Sequence, residues 1–242
     1  MPSLKQVLVE AAVENSDAAV AAERAGARRI ELCARLDLGG TTPNLALIEK
    51  ALDQARIPVL VMVRPRGGDF VYTDDELTSM SKDIARICRL QPAGIVTGAI
   101  GADGRIRRSD LARLLDAAGD LPVTFHRAFD ALVDQTAAVE ELIDIGVSRI
   151  LTAGGAESAL AGVERIGALV KRARERITII AGGGVRAHNV VDVIRRTGVG
   201  EVHARFVDDE QMLTLVAAAT RYREIDDERA ECDGGPETNS HQ

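Results

Sequence analysis

Short runs rich in β-branched and aliphatic residues alternate along this chain with longer runs whose apolar positions recur every three to four residues. Eight short runs read as strands: "QVLVEA" from Gln6, "RRIELC" from Arg28, "VLVMVR" from Val59, "GIVTGA" from Gly94, "VTFHRA" from Val123, "RILTA" from Arg149, "ITIIA" from Ile177 and "EVHAR" from Glu201. Between them lie amphipathic segments such as "TDDELTSMSKDIARICRL". There Leu77, Met80, Ile84 and Ile87 share one helical face, and Thr73 and Asp74 are suited to cap it. Two strand entries recur. "GARRIEL", "GVSRILT" and "GVGEVHA" leave a helix through glycine, whereas "IPVLVMV" and "LPVTFHR" begin on proline, which a first strand position tolerates. A βα unit repeats about every 30 residues, so eight units fill the chain. A doubly wound open sheet is the competing architecture, but its G-x-G-x-x-G turn is absent after the first strand. The expectation is one TIM (β/α)8 barrel over residues 1–225, with the last helix within 209–225 or absent. Residues 226–242, "DDERAECDGGPETNSHQ", are expected to be a disordered tail.

Strand parity assigns side chains to faces. Leu8, Glu10 and Ala12 share one face, as do Arg29, Glu31 and Cys33; Leu60, Met62 and Arg64; Thr124 and His126; and Glu201 and His203. The opposite faces are apolar, so the polar set is expected inside the barrel. Glu10, Glu31, Cys33, Arg64, His126 and His203 should lie near its C-terminal end, where barrels of this kind carry their sites. Buried charges must pair or meet a ligand. Two readings stay open: a structural network in which Arg29 and Arg64 neutralise the glutamates, or a ligand site with a histidine or carboxylate as acid or base. "AGGGVRAHNV" after the seventh strand is either a tight turn or a phosphate cradle built on Gly182, Gly183 and Gly184.

Charge and composition narrow the partners. The formal charge is −7, and the arginines are scattered among acids rather than gathered in a stripe. With no Trp, two Tyr and four Phe there are few stacking platforms, so nucleic acid is not expected. No window approaches a membrane span. Cys33, Cys88 and Cys232 form no C-x-x-C pair, which suits a reduced, cytoplasmic protein.

"RIELC", "GGTTPN", "VMVRPRGGDFVYTDDE", "LPVTFHRAFD", "RILTAGG", "AGGGVRAHN" and "EVHA", in that order from Val7 to Ala204, resemble the copper homeostasis protein CutC family. The resemblance implies a TIM barrel, a role in copper homeostasis, a homo-oligomer expected to be a dimer, and Cu(I) held by two cysteines. One family cysteine is Cys33 here; the other position is Ala12. A lone thiolate is a poor Cu(I) site. Ala153 and Arg205 are further departures, at strand exits where the family tends to carry small or hydroxylated residues. The best-matched stretches carry hard or basic groups, which suit a small anionic or polyhydroxy ligand better than copper. The alternative to copper binding is therefore an acid–base enzyme acting on a small anion, phosphorylated or not. Its candidate acids and bases are Glu10, Glu31, His126 and Asp130. Its candidate ligand contacts are Arg64, Arg66, Asp69, Arg127, Gly182, Gly183, Gly184 and His203.

Overall fold

The computed structural model describes residues 7–233, with side chains as far as Tyr222. Eight parallel strands close on one another in chain order. They are β1 (Leu8–Val13), β2 (Arg29–Leu32), β3 (Val59–Met62), β4 (Gly94–Thr97), β5 (Val123–Phe125), β6 (Arg149–Thr152), β7 (Thr178–Gly182) and β8 (Glu201–Arg205). Eight helices surround them: α1 (Ser16–Arg24), α2 (Leu45–Gln54), α3 (Asp74–Cys88), α4 (Arg108–Ala118), α5 (Gln135–Ile145), α6 (Val163–Ala173), α7 (Val190–Thr197) and α8 (Asp209–Asp233). The TIM barrel expected from the repeat is the observed architecture.

Helix α3 shows how local sequence sets an element. Thr73 accepts a hydrogen bond from the Glu76 N–H at 3.2 Å, and the Glu76 carboxylate accepts from the Thr73 N–H at 2.8 Å. This reciprocal cap satisfies two otherwise orphaned donors. Asp74 is the first helical residue rather than the cap. Leu77, Met80, Ile84 and Ile87 are buried against the barrel, each contributing roughly 1.5–3 kcal/mol of transfer free energy. Gly146 and Gly198 end α5 and α7 in the left-handed conformation, as the glycine entries implied. Pro58 and Pro122 each stand one residue before a strand, where their carbonyls accept from Ile30 N–H and Ile95 N–H and no ladder N–H is needed.

Several strands are shorter than their apolar runs. Strand β3 ends at Met62, because Arg64 N–H donates to Thr42 Oγ1 at 2.9 Å and Pro65 has no N–H to offer. Strand β5 ends at Phe125, and His126 caps a 3-10 turn over Arg127–Ala131. The eighth helix is present, and it continues past residue 225, the boundary expected for the barrel. Residues 234–242 of the expected tail lie outside the described residues, as does Gln6 of the expected first strand.

Two apolar regions result. The larger lies between the strands' outer faces and the helices. The smaller, Cys33, Leu60, Met62 and Val96, fills part of the barrel interior. The remaining interior is polar, and it defines the site.

Candidate functional site

Closure of the barrel sets Glu10 between Arg29 on β2 and His203 on β8, its partners in register on either side. One Glu10 oxygen accepts from Arg29 Nε and the other pairs with His203 Nδ1 at 2.7 Å. Arg29 also donates to Glu201 Oε2 at 2.5 Å. Burial alone would raise the Glu10 pKa, but the His203 hydrogen bond and the Arg29 charge outweigh it and hold it at about 2. Burial opposes the charged form of His203, yet Glu31 and Glu10 raise its pKa above the ordinary value. The floor of the barrel is thus a hydrogen-bonded chain from Glu201 through Arg29 and Glu10 to His203.

Glu31 stands one layer above Glu10 on the neighbouring strand. Its Oε1 accepts from the Cys33 thiol at 3.2 Å, and its Oε2 has no partner within the protein although the residue is only 3% exposed. Burial, with the Glu10 charge adding to it, pushes the Glu31 pKa up against the pull of His203. Cys33 is pushed well up by burial and by the Glu31 charge, so the free residue is a thiol. His126 is also buried. Its Nδ1 accepts from Ala128 N–H at 3.2 Å, which assigns the ring proton to Nε2, and Nε2 has no partner. Burial and the nearby Arg64 charge hold the His126 pKa at about 3, so the ring is neutral.

A cavity of about 320 Å³ opens over these groups at the C-terminal end of the barrel. Glu31, His126 and His203 line its depth, and Arg127, Arg186 and Arg205 stand among its lining residues. Gly183 and Gly184 form part of the wall with φ of 103° and 70°, a conformation that glycine adopts without strain. A side chain on Gly183 would meet the Arg127 guanidinium at 3.3 Å, so glycine there leaves the arginine its place. Gly182 itself belongs to β7, against Leu151 and His203.

Other residues expected to contact a ligand are spent on the loops. Arg64 donates from Nη1 to the carbonyls of Leu38 (2.9 Å) and Gly40 (3.2 Å), and from Nη2 to that of Gly68 (2.7 Å), and it packs over the Phe70 ring. Arg66 pairs with Glu76 at 2.6 Å and with Asp69 at 3.0 Å, on the outer side of the same loop. Asp130 accepts from Arg127 Nε, Thr152 Oγ1 and the N–H groups of Ala153 and Gly155, which ties the exit of β6. With both oxygens accepting hydrogen bonds, Asp130 ties the turn after β5 to the exit of β6. Of the candidate set, the barrel therefore gathers Glu10, Glu31, Cys33, His126, Arg127, Gly183, Gly184 and His203, and leaves Arg64, Arg66, Asp69 and Asp130 as fasteners.

Residues not foreseen also belong here. Arg149 shares its strand parity with Leu151 and is partly buried near Arg29, whose charge joins burial in lowering its pKa. The period-two rule applied to the sixth strand would have found it. Arg186 stands two residues beyond the glycine run, a strand exit like the others. Phe70 lines the cavity and packs on His126 with ring centroids 5.0 Å apart.

For Cu(I), the soft donors in the barrel are Cys33 and Met62, both of which crowd Gly40: a Cβ there would lie 3.2 Å from Cys33 Sγ and 3.4 Å from Met62 Cε. Ala12 stands where the family's other cysteine would. This is one thiol with a thioether neighbour, not a pair of thiolates.

Comparison with known proteins agrees with the geometry. The CutC family model matches residues 7–207. A family protein CutC of Mesorhizobium japonicum is 44% identical over 216 residues, covering 89% of this chain and 81% of the relative. A human protein named copper homeostasis protein cutC homolog is 43% identical over 208 residues, covering 85% of this chain and 76% of the relative. A crystal structure titled as the putative copper homeostasis protein CutC from Streptococcus agalactiae superposes with a TM-score of 0.79 at 38% identity, covering 83% of this chain and all of that one. The chain belongs to the CutC family.

Proposed function

We propose that this chain serves copper homeostasis, the role for which its human and mouse relatives are named, and that its molecular action is recognition of a small anion in the barrel mouth. One observation carries the molecular reading. Two buried polar atoms without protein partners, Glu31 Oε2 and His126 Nε2, lie on residues that line the cavity. Unpartnered buried polar atoms cost roughly 1–3 kcal/mol each, a cost a ligand's own polar groups would remove. The lining guanidiniums of Arg127 and Arg186 beside Gly183 and Gly184 suit a phosphate or carboxylate. Neutral His126 would donate from Nε2 to a ligand oxygen, and Glu31 would face the ligand's polar end, the arrangement an acid–base reaction requires.

The test is thermal: a panel of small phosphorylated and carboxylated compounds is screened for a rise in Tm. At least one should stabilise the chain at millimolar concentration. Arg186→Ala should weaken its binding about ten- to a hundredfold, the loss of one charge-assisted hydrogen bond. A panel in which no anion shifts Tm, or a shift that Arg186→Ala and His126→Gln both leave intact, removes this reading. A cytoplasmic location and a homodimer belong to the same proposal; the first is supported by the unpaired cysteines, and sedimentation checks the second.

A second reading rests on the proximity of Cys33 and Met62. Cu(I) would displace the Cys33 proton and bind the thiolate with thioether support. Titration of reduced protein against a Cu(I) chelator should give one equivalent, and Cys33→Ser should abolish it. An affinity unchanged by that substitution takes the thiol out of the reading.

A further inference from the structure

We infer that the floor of the barrel, at Glu10, Glu31 and His203, is a binding site for a divalent cation with mixed oxygen and nitrogen ligands. Each residue offers one ligand atom, and the three atoms lie within 4.8 Å of one another. They come from three strands, β1, β2 and β8, which are adjacent in the closed barrel, so rigid backbone rather than a loop sets their spacing.

Side-chain shifts of about 1 Å would close the three atoms on an ion. Carboxylate and imidazole ligands stand about 2.0–2.2 Å from a zinc-sized ion, which in tetrahedral geometry puts two such ligands about 3.4 Å apart. His203 Nδ1 and Glu10 Oε1 are already 2.7 Å apart. An ion in place of the proton between them widens that gap by about 0.7 Å, and Glu31, whose ligand atom lies within 4.8 Å of the other two, draws in to join them. Glu31 Oε2 is the third ligand, and it is the buried atom that has no partner. The other Glu10 oxygen is held by Arg29, which in turn is held by Glu201. That leaves Glu10 one oxygen for the ion and fixes its orientation from behind, as outer hydrogen bonds do around metal ligands.

Glu31 and His203 line the cavity, so the ion's remaining positions would face the space where an anion is proposed. A three-ligand set with open positions is the arrangement of a catalytic rather than a structural centre. Two carboxylates and an imidazole select zinc, manganese or ferrous iron and disfavour Cu(I), so the site is distinct from Cys33 and Met62. The inference does not depend on anion binding; the two share the cavity and Glu31, whose free oxygen a bound ion would take while His126 and the arginines remain for the anion.

The experiment uses the full chain after treatment with excess chelator and its removal. Zn²⁺ is titrated against a chromophoric chelator, and Mn²⁺ binding is followed by loss of the free-ion EPR signal. One equivalent of at least one ion should bind, and Glu31→Gln, which keeps the side chain's shape, should weaken it at least tenfold. His203→Gln should do the same, and circular dichroism confirms that each variant is folded. If neither ion binds stoichiometrically, or if both folded variants bind as the parent does, the inference is overturned. Anion-induced Tm shifts measured in excess chelator report separately on the anion reading.

Discussion

Arg64 leaves β3 among the residues of the mouth, yet both of its Nη nitrogens end on loop carbonyls, those of Leu38, Gly40 and Gly68. A guanidinium placed there closes the mouth's loops onto one another rather than waiting for an anion. Arg64→Met should cost about 1–3 kcal/mol in urea unfolding, because it removes the donors to three loop carbonyls, of which the bond to Gly40 is buried. Cys33 makes a complementary case. Its thiol is buried and donates to Glu31, and both burial and that carboxylate raise its pKa. Native protein should therefore alkylate at Cys33 at least a hundredfold more slowly than denaturant-unfolded protein, read by mass spectrometry of the peptide; comparable rates would mean that the interior is open to reagent. Residue types and strand parity identified Glu10, Glu31, Cys33, His126 and His203 as inward-facing. Parity could not say whether a long side chain such as Arg64 reaches the ligand or turns back to its own loops, since that depends on carbonyls 24 and 26 residues away in sequence.

At the scale of elements, capping and loop ties do the positioning. Thr73 and Glu76 begin α3 with a reciprocal cap, and Thr73→Ala should lower stability by about 1 kcal/mol without touching the cavity. The loops after β2 and β3 clasp through Thr42, whose N–H and hydroxyl meet the Arg64 backbone. The exit of β6 is gathered on Asp130, which accepts from Thr152, Ala153 and Gly155. Asp130→Ala should raise limited-proteolysis rates at residues 153–158 severalfold with a smaller effect elsewhere, because three local donors lose one acceptor. Element identity and order were legible because helix period, proline entries and glycine exits are local signals. Strand ends were not: β3 and β5 stop early where a side chain or a 3-10 turn takes over the backbone's hydrogen bonds.

For the whole molecule, buried ionisable groups couple stability to acidity. His126 has its pKa depressed to about 3, below the ordinary 6.5, so the unfolded chain binds a proton more readily than the folded one. Its contribution is intact above pH 6.5 and is lost as pH falls toward 3. Glu10, depressed from 4.5 to about 2, adds a second loss between those values. Glu31, with its pKa raised, gains stability as pH falls toward 4.5 and opposes His126 there, so the steepest fall of the urea midpoint should come below 4.5, where Glu10 adds its loss. His126→Gln should gain stability relative to the parent as pH falls from 6.5 toward 4, and a parent-to-variant difference independent of pH over that range would contradict a buried neutral ring. No helix among the described residues is long and apolar enough to cross a membrane.

By itself, the sequence determined the eight βα units and the inward faces of β1, β2, β3, β5 and β8, because side-chain alternation and helix periodicity are properties of neighbouring residues, and its motifs carried the family resemblance. Only the tertiary structure decided which of those faces meet. Closing β8 against β1 brings His203 to Glu10 across 193 residues, and the register with β2 brings Arg29 to the other oxygen. No local pattern encodes register across a closed barrel, nor whether loop carbonyls will consume an arginine before a ligand arrives. The physical reason is that pairing depends on three-dimensional separation, whereas sequence patterns report only which way a side chain points.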